Sequence, residues 1–261
     1  AELQKIAASI GSLAAGVFAQ ATMHTPVDVT ERAVKAAADC QADCTIAFGG
    51  GSSTGLGKAI ALRTDLTQIA IPTTYAGSEM TPIIGETEGG RKTTQRTLKV
   101  LPEIVIYDVD FTLTLPPRLT VTSGTNAIAH AVEALYAQDR NPVISMMAEQ
   151  AIAALGRALP KIVANPQDRD ARSEALYGAW LCGVCLGSVG MALHHKLCHV
   201  IGGSFNLPHA DTHTVILPYA MAYNAKAAPE ADQAVARALG GRDGTSALVE
   251  LAKKLDSPSS L

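Results

Sequence analysis

The feature that most constrains the fold of this 261-residue chain is a change of pattern at Pro116-Pro117. Before it, short β-branched runs alternate with helical segments. After it, Ala- and Leu-rich helical periodicity continues with almost no strand signal. The alternation predicts a parallel sheet with crossover helices. We therefore predict an α/β domain over residues 1–117 and an all-α domain over residues 118–261, with the boundary between Leu115 and Arg118.

Periodicity predicts the individual elements of both halves. The first half should contain helices over Lys5–Phe18, Thr30–Ala38 and Gly57–Leu62, and buried strands over Cys44–Phe48, Gln68–Pro72 and Ile104–Tyr107. The second half should contain helices over Asn126–Tyr136, Pro142–Leu159, Asp168–Gly187, Val189–Val200 and Pro229–Leu239.

Composition excludes several classes of protein. A formal net charge of -3 argues against a nucleic-acid binder, and 48% apolar residues are enough to build a core. The longest apolar run, Gly178–Leu193, is too short and too rich in glycine and serine to span a membrane, and the first residues do not resemble a signal peptide. Five cysteines without a framework spacing favour a reducing compartment, so we expect a cytoplasmic protein without membrane or nucleic-acid partners.

Two loops at the carboxyl ends of predicted strands are candidates for binding a nucleotide. In Ala47–Lys58 a strand leads into three glycines, then hydroxyls, then a helix whose N-terminal N–H groups suit a pyrophosphate. The spacing matches neither a P-loop nor GxGxxG, so an ordinary glycine-rich turn remains the alternative. Pro72–Glu79 forms a second, hydroxyl-rich loop at the same expected sheet edge, where open α/β sheets bind ligands.

Six of the seven histidines lie in the second half. His195 and His199 are four residues apart and so share one helical face, and several imidazoles in one cleft would indicate catalysis rather than a scattered polar surface. His24, in the first half, suggests no more than a turn. Cys182 and Cys185 form a CxxC in apolar helical surroundings without a basic neighbour, so we predict core positions for them. Cys198, beside His199, is the cysteine whose position favours exposure to a cleft.

Four motifs together resemble the iron-containing (group III) alcohol dehydrogenases over nearly the whole chain. They are Gly49-Gly50-Gly51-Ser52, Pro72-Thr73-Thr74 with Gly77-Ser78-Glu79, Asn126–Ala134, and His195-x3-His199-x9-His209. The resemblance implies the dehydroquinate synthase-like fold, in which an N-terminal α/β dinucleotide-binding domain precedes an all-α catalytic domain and the active site lies in the cleft between them. Members usually begin with a strand, a glycine turn and a strand, and their helical domain continues further, so we expect both termini of that fold to extend beyond this sequence.

The resemblance also assigns cofactor and metal positions. The residues assigned to the dinucleotide are Gly50, Gly51, Ser52, Thr73, Thr74, Ser78 and Lys92. The family's metal ligands, one Asp and three His, fall on Asn126, His130, His195 and His209, and a further cleft histidine falls on His199. Asn126 therefore replaces a carboxylate by a neutral amide, and Gly55 stands where the glycine loop usually has Asp. A site without an anion should hold Fe²⁺ or Zn²⁺ poorly, so we expect no metal.

These departures, with Tyr75–Pro82 and Leu193–His199, resemble one branch of the family, the maleylacetate reductases. That branch implies NADH- or NADPH-dependent reduction of the C=C bond of maleylacetate to 3-oxoadipate during aromatic-compound degradation, without a metal, and commonly a homodimer. Stabilising an enolate needs hydrogen-bond donors more than a Lewis acid. We expect His199 and His195, assisted by His130 and His209, to be catalytic. For the small dicarboxylate substrate we expect Lys196, His194 and Asn126, although a solvated helix face explains Lys196 equally well. Arg91 and Arg96 stay unassigned.

Three alternatives remain. A metal-dependent alcohol or polyol dehydrogenase of the same fold could tolerate Asn126. A sensor could keep the nucleotide fold without turnover, although it would have little use for several histidines. A zinc hydrolase is disfavoured because no HExxH is present.

Overall fold

The computed structural model describes residues 2–205 and 207–261, and these form two compact units. The first unit comprises the described residues up to Thr73 together with Ser78–Asp108, and the second comprises Thr74–Gly77 and Val109–Leu261. The second unit therefore takes up the chain after Asp108, before the proline pair, and the domain boundary at Leu115–Arg118 stays a prediction. The 3₁₀ turn Val109–Thr112 packs on a helix of the second unit.

The first unit is built on a three-stranded parallel sheet. Its helices are α1 (Glu2–Ser9), α2 (Val27–Asp39) and α3 (Gly51–Thr64), and its strands are β1 (Cys44–Gly49), β2 (Thr67–Pro72), β3 (Ile83–Glu88), β4 (Arg91–Arg96) and β5 (Ile104–Val105). The sheet order is β1-β2-β5, and β3 and β4 form a separate antiparallel pair. Because β1 and β2 are parallel and in register from Cys44↔Thr67 to Gly49↔Pro72, their carboxyl ends meet at one edge.

Several predictions for the first unit need correction. The helix predicted over Lys5–Phe18 ends at Ser9 and is followed by a 3₁₀ turn, since Gly11 disfavours helix continuation. The strand at Ile104 is only two residues long, and this side chain is 48% exposed because β5 pairs with β2 alone. The β3–β4 pair was not predicted, since β4 is exposed and polar and lacks the apolar alternation that marks a strand.

Apolar faces of α2 and α3 form one core cluster of the first unit. The cluster contains Val29, Ala33, Leu56 and Ile60. The helix α3 follows Gly50 directly and ends at Asp65, which adopts a left-handed conformation and donates its N–H to the carbonyl of Ala61. The sheet and α3 together therefore hold the glycine loop between β1 and α3.

The second unit is helical. Its helices are α4 (Pro117–Tyr136), α5 (Pro142–Ala164), α6 (Arg169–Ser188), α7 (Leu193–Phe205), α8 (His209–Asn224), α9 (Pro229–Leu239) and α10 (Gly244–Lys254). Every residue of α4 from Thr120 to Leu135 is buried, so this helix forms the centre of the unit. The side chains of Asn141 and Asp168 cap α5 and α6 by accepting backbone N–H bonds.

Two predicted helices of this unit begin elsewhere, and two helices were missed. The helix expected over Asn126–Tyr136 is α4, which begins at Pro117. The helix expected over Val189–Val200 is α7, which begins at Leu193. Helices α8 and α10 were not predicted. Pro218 lies inside α8 and interrupts a pattern that otherwise has little one-sided apolar character. Among the described residues no single helix is long and apolar enough to cross a bilayer, and the pair α6 and α7 passes that test only together, with a bend of 96°.

Candidate active site

Four imidazoles from three helices meet inside the second unit. His130 comes from α4, His194 and His195 from α7, and His213 from α8, and each is at most 4% exposed. The ring centroids of His130 and His195 are 4.9 Å apart, as are those of His195 and His213, while those of His194 and His213 are 4.8 Å apart. The sequence placed His130 and His195 in one site, and the structure brings them together.

A hydrogen-bonded chain links two of these rings to a buried carboxylate. His130 Nε2 lies 3.1 Å from the carbonyl oxygen of Ala76, and His130 Nδ1 lies 2.9 Å from His195 Nε2. At the other end of the chain, His195 Nδ1 lies 2.5 Å from Glu133 Oε2. Glu133 was not predicted, although its position three residues after His130 on one helix was a usable signal. The site therefore contains a buried carboxylate beside the four positions that the resemblance assigned to metal ligands.

The chemistry of its ends sets the direction of this chain. A carbonyl oxygen can only accept, so His130 Nε2 donates to Ala76 and His130 Nδ1 accepts from His195 Nε2. One proton then lies between His195 Nδ1 and Glu133 Oε2. Burial lowers the pKa of His130 to about 3, and the neighbouring His195 contributes to this shift. Burial also lowers the pKa of His195 to about 3, and His199 makes the second contribution.

A second pair of imidazoles lies beside a thiol. His194 Nε2 is 3.0 Å from His213 Nδ1 and 3.7 Å from Cys198 Sγ. Cys198 is 2% exposed, so the expected exposure was wrong, and burial followed by the charge of Glu133 raises its pKa to about 12. His194 is fully buried, and its assignment to the substrate stays a prediction. Burial, reinforced by His195, lowers the pKa of His194 to about 3, and burial lowers that of His213 well below its usual range.

The predicted catalytic residues that solvent reaches are His199 and His209. His199 is half-buried and His209 is exposed, and their rings stack with centroids 6.0 Å apart. The His209 centroid is 4.2 Å from that of His213, and the His199 centroid is 6.1 Å from that of His195. Lys196 is exposed on α7. The two accessible rings therefore lie against the buried network, and a small molecule could reach them.

The segment Thr74–Gly77 positions the carbonyl that ends the chain. The phenol of Tyr75, which is fully buried, accepts from the guanidinium of Arg172 at 3.2 Å. Gly77 has φ +76°, and a Cβ there would lie 3.2 Å from the backbone of Ala179 and Gly183. Only glycine combines this conformation with so close an approach, so Gly77 holds Ala76 against His130.

The four positions that correspond to the family's metal ligands do not fit an iron ion in this arrangement. Asn126 supplies a neutral amide, and its Oδ1 is buried without a hydrogen-bond partner. Both ring nitrogens of His130 and both of His195 are already in hydrogen bonds, so either would have to break one to bind a metal. Two other groups do offer three donor atoms within 4.8 Å of one another: His194 with Cys198 and His213, and His199 with His209 and His213.

The glycine loop of the first unit fits a dinucleotide phosphate. The N–H of Thr73 donates to the carbonyl of Gly49, so the predicted residues after β1 and after β2 lie together. Gly51 begins α3, and a Cβ there would meet nothing within 4 Å, whereas a Cβ at Gly49 would lie 2.5 Å from Ser53 Oγ. Gly50, Gly51 and Ser52 would therefore present the start of a helix to an anion.

A buried lysine that the sequence analysis missed holds the loop that carries Ser78. Lys58 Nζ, with three N–H groups, lies 2.6–2.9 Å from four acceptors, the carbonyl oxygens of Ser78, Thr81 and Ile83 and Thr81 Oγ1. Burial lowers the pKa of Lys58 to about 7, and the charge of Glu79 opposes that shift. The Ser78 loop is thus fixed from inside the unit.

The remaining candidates lie on β4 and α6. Arg91, Lys92 and Arg96 are exposed on β4. Burial lowers the pKa of His24, and the positive charge of Lys92 lowers it further. Cys182 and Cys185 are fully buried on α6, as predicted, and burial raises the pKa of both thiols.

Comparisons with known proteins identify the family. Residues 1–109 match the model described as iron-containing alcohol dehydrogenase, and residues 120–261 match that of the C-terminal part of the Fe-containing alcohol dehydrogenase family. The chain is 59% identical to a maleylacetate reductase of Rhizobium sp. (strain MTP-10005) and 57% identical to one of Burkholderia cepacia, and in each case 100% of this chain covers 74% of the relative.

Solved structures agree with these matches. The crystal structure of maleylacetate reductase from Agrobacterium tumefaciens superposes with a TM-score of 0.95 at 57% identity, over 98% of this chain and 73% of that one. The expected fold class is therefore confirmed. The chain belongs to the iron-containing alcohol dehydrogenase family of oxidoreductases.

Proposed function

We propose that this chain is an NADH- or NADPH-dependent maleylacetate reductase that converts maleylacetate to 3-oxoadipate without a metal. The observation that carries the proposal is its 59% identity, over 260 residues, to a protein with that activity in its name. The hydrogen-bonded imidazoles described above supply the proton donors that such a reduction needs.

The substrate's double bond is conjugated to its ketone, so electrons that enter at the alkene carbon move to the ketone oxygen. A nicotinamide cofactor would supply the hydride, and Gly50, Gly51 and Ser52 would hold its pyrophosphate. One hydride and one proton are added, one C–H bond forms at each former alkene carbon, and the cofactor is oxidised by two electrons. The requirement on the protein is to stabilise the enolate oxygen and to deliver one proton.

His199 is the residue we assign to the ketone oxygen, because it is accessible and lies between His195 and His209. His209 borders the same surface, and Lys196 attracts one substrate carboxylate by charge. His130 and His195 stay behind this surface, where they orient the accessible rings and can relay a proton. Asn126, whose amide nitrogen lies 3.5 Å from His130 Nε2, belongs to this buried layer rather than to the substrate contact.

The donor set at Asn126 supports a metal-free reaction, and the metal-dependent alcohol dehydrogenase alternative is not favoured. Five free thiols support a reducing compartment such as the cytoplasm, and family membership supports a homodimer that needs no nucleic acid or membrane.

Turnover can be measured as the loss of NADH or NADPH absorbance with maleylacetate, and the 3-oxoadipate product identified by mass spectrometry. Activity should survive prolonged chelation, and His199→Ala should lose turnover while it still binds NADH, as followed by cofactor fluorescence. Loss of activity on chelation with recovery on adding metal would refute the metal-free mechanism. Absence of turnover in the wild-type protein would refute the substrate and leave the sensor alternative.

A further inference from the structure

Glu133 connects the central helix of the second unit to the helix that carries most of the site. It lies on α4 and is 1% exposed. One carboxylate oxygen, Oε2, lies 2.5 Å from His195 Nδ1 and accepts from the N–H of Ala192 at 3.1 Å, while Oε1 accepts from the N–H of His195 at 3.3 Å. Three contacts from one buried side chain therefore converge on the first turn of α7.

The backbone contacts position the helix. N–H groups at a helix N-terminus lack intrahelical acceptors, and a negative charge placed there is favoured by the helix dipole. From the neighbouring helix α4, Glu133 supplies both the hydrogen-bond acceptors and the negative charge. Since His199 follows His195 by one helical turn, this anchoring also sets where the His199 ring lies.

The ring contact positions a proton. Glu133 occupies the Nδ1 side of His195, so the Nε2 side is left to donate to His130 Nδ1, whose own Nε2–H is held by Ala76. A carboxylate that orients an imidazole in this manner selects one tautomer and one ring orientation. Without it, the His195 ring could turn over and lose its hydrogen bond to His130 Nδ1.

We propose that Glu133 is a positioning residue for the reduction: it anchors α7 and orients His195, and it does not contact the substrate. This inference rests on the proposed function. It predicts that part of the effect of Glu133 on turnover passes through the His195 ring and the rest through the position of α7.

The test is a double-mutant cycle on the full-length protein. Glu133→Gln keeps the shape of the side chain but replaces one carboxylate oxygen by an NH₂ group. That group faces N–H donors and cannot accept their hydrogen bonds. We expect kcat with maleylacetate to fall about 10–100-fold, the range for carboxylates that orient catalytic or ligating imidazoles, with a smaller change in KM and unchanged NADH binding. The double variant Glu133→Gln/His195→Gln should be slower than His195→Gln by a smaller factor than that by which Glu133→Gln is slower than the wild type.

Glu149→Gln is the matched control, because it makes the same chemical change at a surface ion pair with Arg237 and should leave kcat unchanged. Independently of turnover, the proton shared by Glu133 and His195 should give a far-downfield ¹H resonance that Glu133→Gln and His195→Gln both abolish and the control retains. Any of three results would overturn the proposal: additive losses of kcat in the cycle, a wild-type kcat in Glu133→Gln, or a downfield resonance that survives both substitutions. A wild-type protein inert to maleylacetate would instead contradict the substrate, and the resonance would still decide whether Glu133 holds His195.

Discussion

Replacing Gly77 by alanine should destabilise the second unit and impair the site at the same time. The residue has φ +76°, where a side chain with a Cβ costs about 1–2 kcal/mol. The new Cβ would also lie 3.2 Å from the carbonyl oxygen of Ala179 and from the N and Cα of Gly183. These are backbone atoms of α6 that cannot rotate away, so overpacking adds about 1–3 kcal/mol.

We therefore expect Gly77→Ala to lower the free energy of unfolding by about 2–5 kcal/mol, a large part of the roughly 5–15 kcal/mol typical of a protein. Urea unfolding followed by the fluorescence of the single tryptophan, Trp180 on α6, measures this loss. Because the carbonyl of the preceding residue, Ala76, accepts from His130, kcat should fall in the protein that remains folded.

Gly240→Ala is the matched control for this prediction. Gly240 has φ +75°, and nothing lies within 4 Å of a Cβ built there, so it should show the conformational cost of about 1–2 kcal/mol without the clash and without loss of kcat. Equal destabilisation by the two substitutions would refute the argument that close packing against α6 requires glycine at residue 77.

Further predictions concern pH, metal affinity and substrate charge. Below pH 6.5 the imidazoles of the unfolded chain bind protons, whereas the buried imidazoles of the folded protein stay neutral. The free energy of unfolding should therefore decrease as the pH falls from 6.5 towards 3, by up to about 1.4 kcal/mol per pH unit for each ring. Urea titrations at several pH values measure this decrease, and a flat profile would contradict burial of neutral rings. The rings concerned are His130, His194, His195 and His213. Asn126→Asp should bind Zn²⁺ more tightly than the wild type in isothermal titration calorimetry, and equal affinities would show that the amide does not disfavour a metal. Lys196→Met should raise KM for maleylacetate about fivefold, as expected for an exposed charge pair, with kcat unchanged; an unchanged KM would assign Lys196 to a solvated face.

Local patterns in the sequence predicted most of the regular elements. Strands β1 and β2 and helices α2, α5, α6 and α9 lie where periodicity placed them, with ends that differ by a few residues. The pattern failed where neighbours outside the segment decide the structure. The strand β4 is polar and exposed and exists because it pairs with β3, and α8 is apolar on more than one side because it is packed between other helices.

The sequence indicated most of the imidazoles that come together, but it did not indicate His213 as a member of the site or how deeply each ring is buried. Spacing along a helix shows that His195 and His199 share a face, but it does not show how deep that face lies. Packing of α7 against α4 and α8 buries His194, His195 and Cys198 and leaves His199 accessible.

The sequence by itself determined the order of α/β and helical parts, the glycine loop, the set of histidines and the loss of a carboxylate at Asn126, because each is a property of residue type and spacing. Only the tertiary structure decided where the negative charge of the site lies. Glu133 meets His195 across 62 positions of chain, and Ala76 meets His130 across 54. Such contacts depend on how helices pack, and no local pattern encodes them.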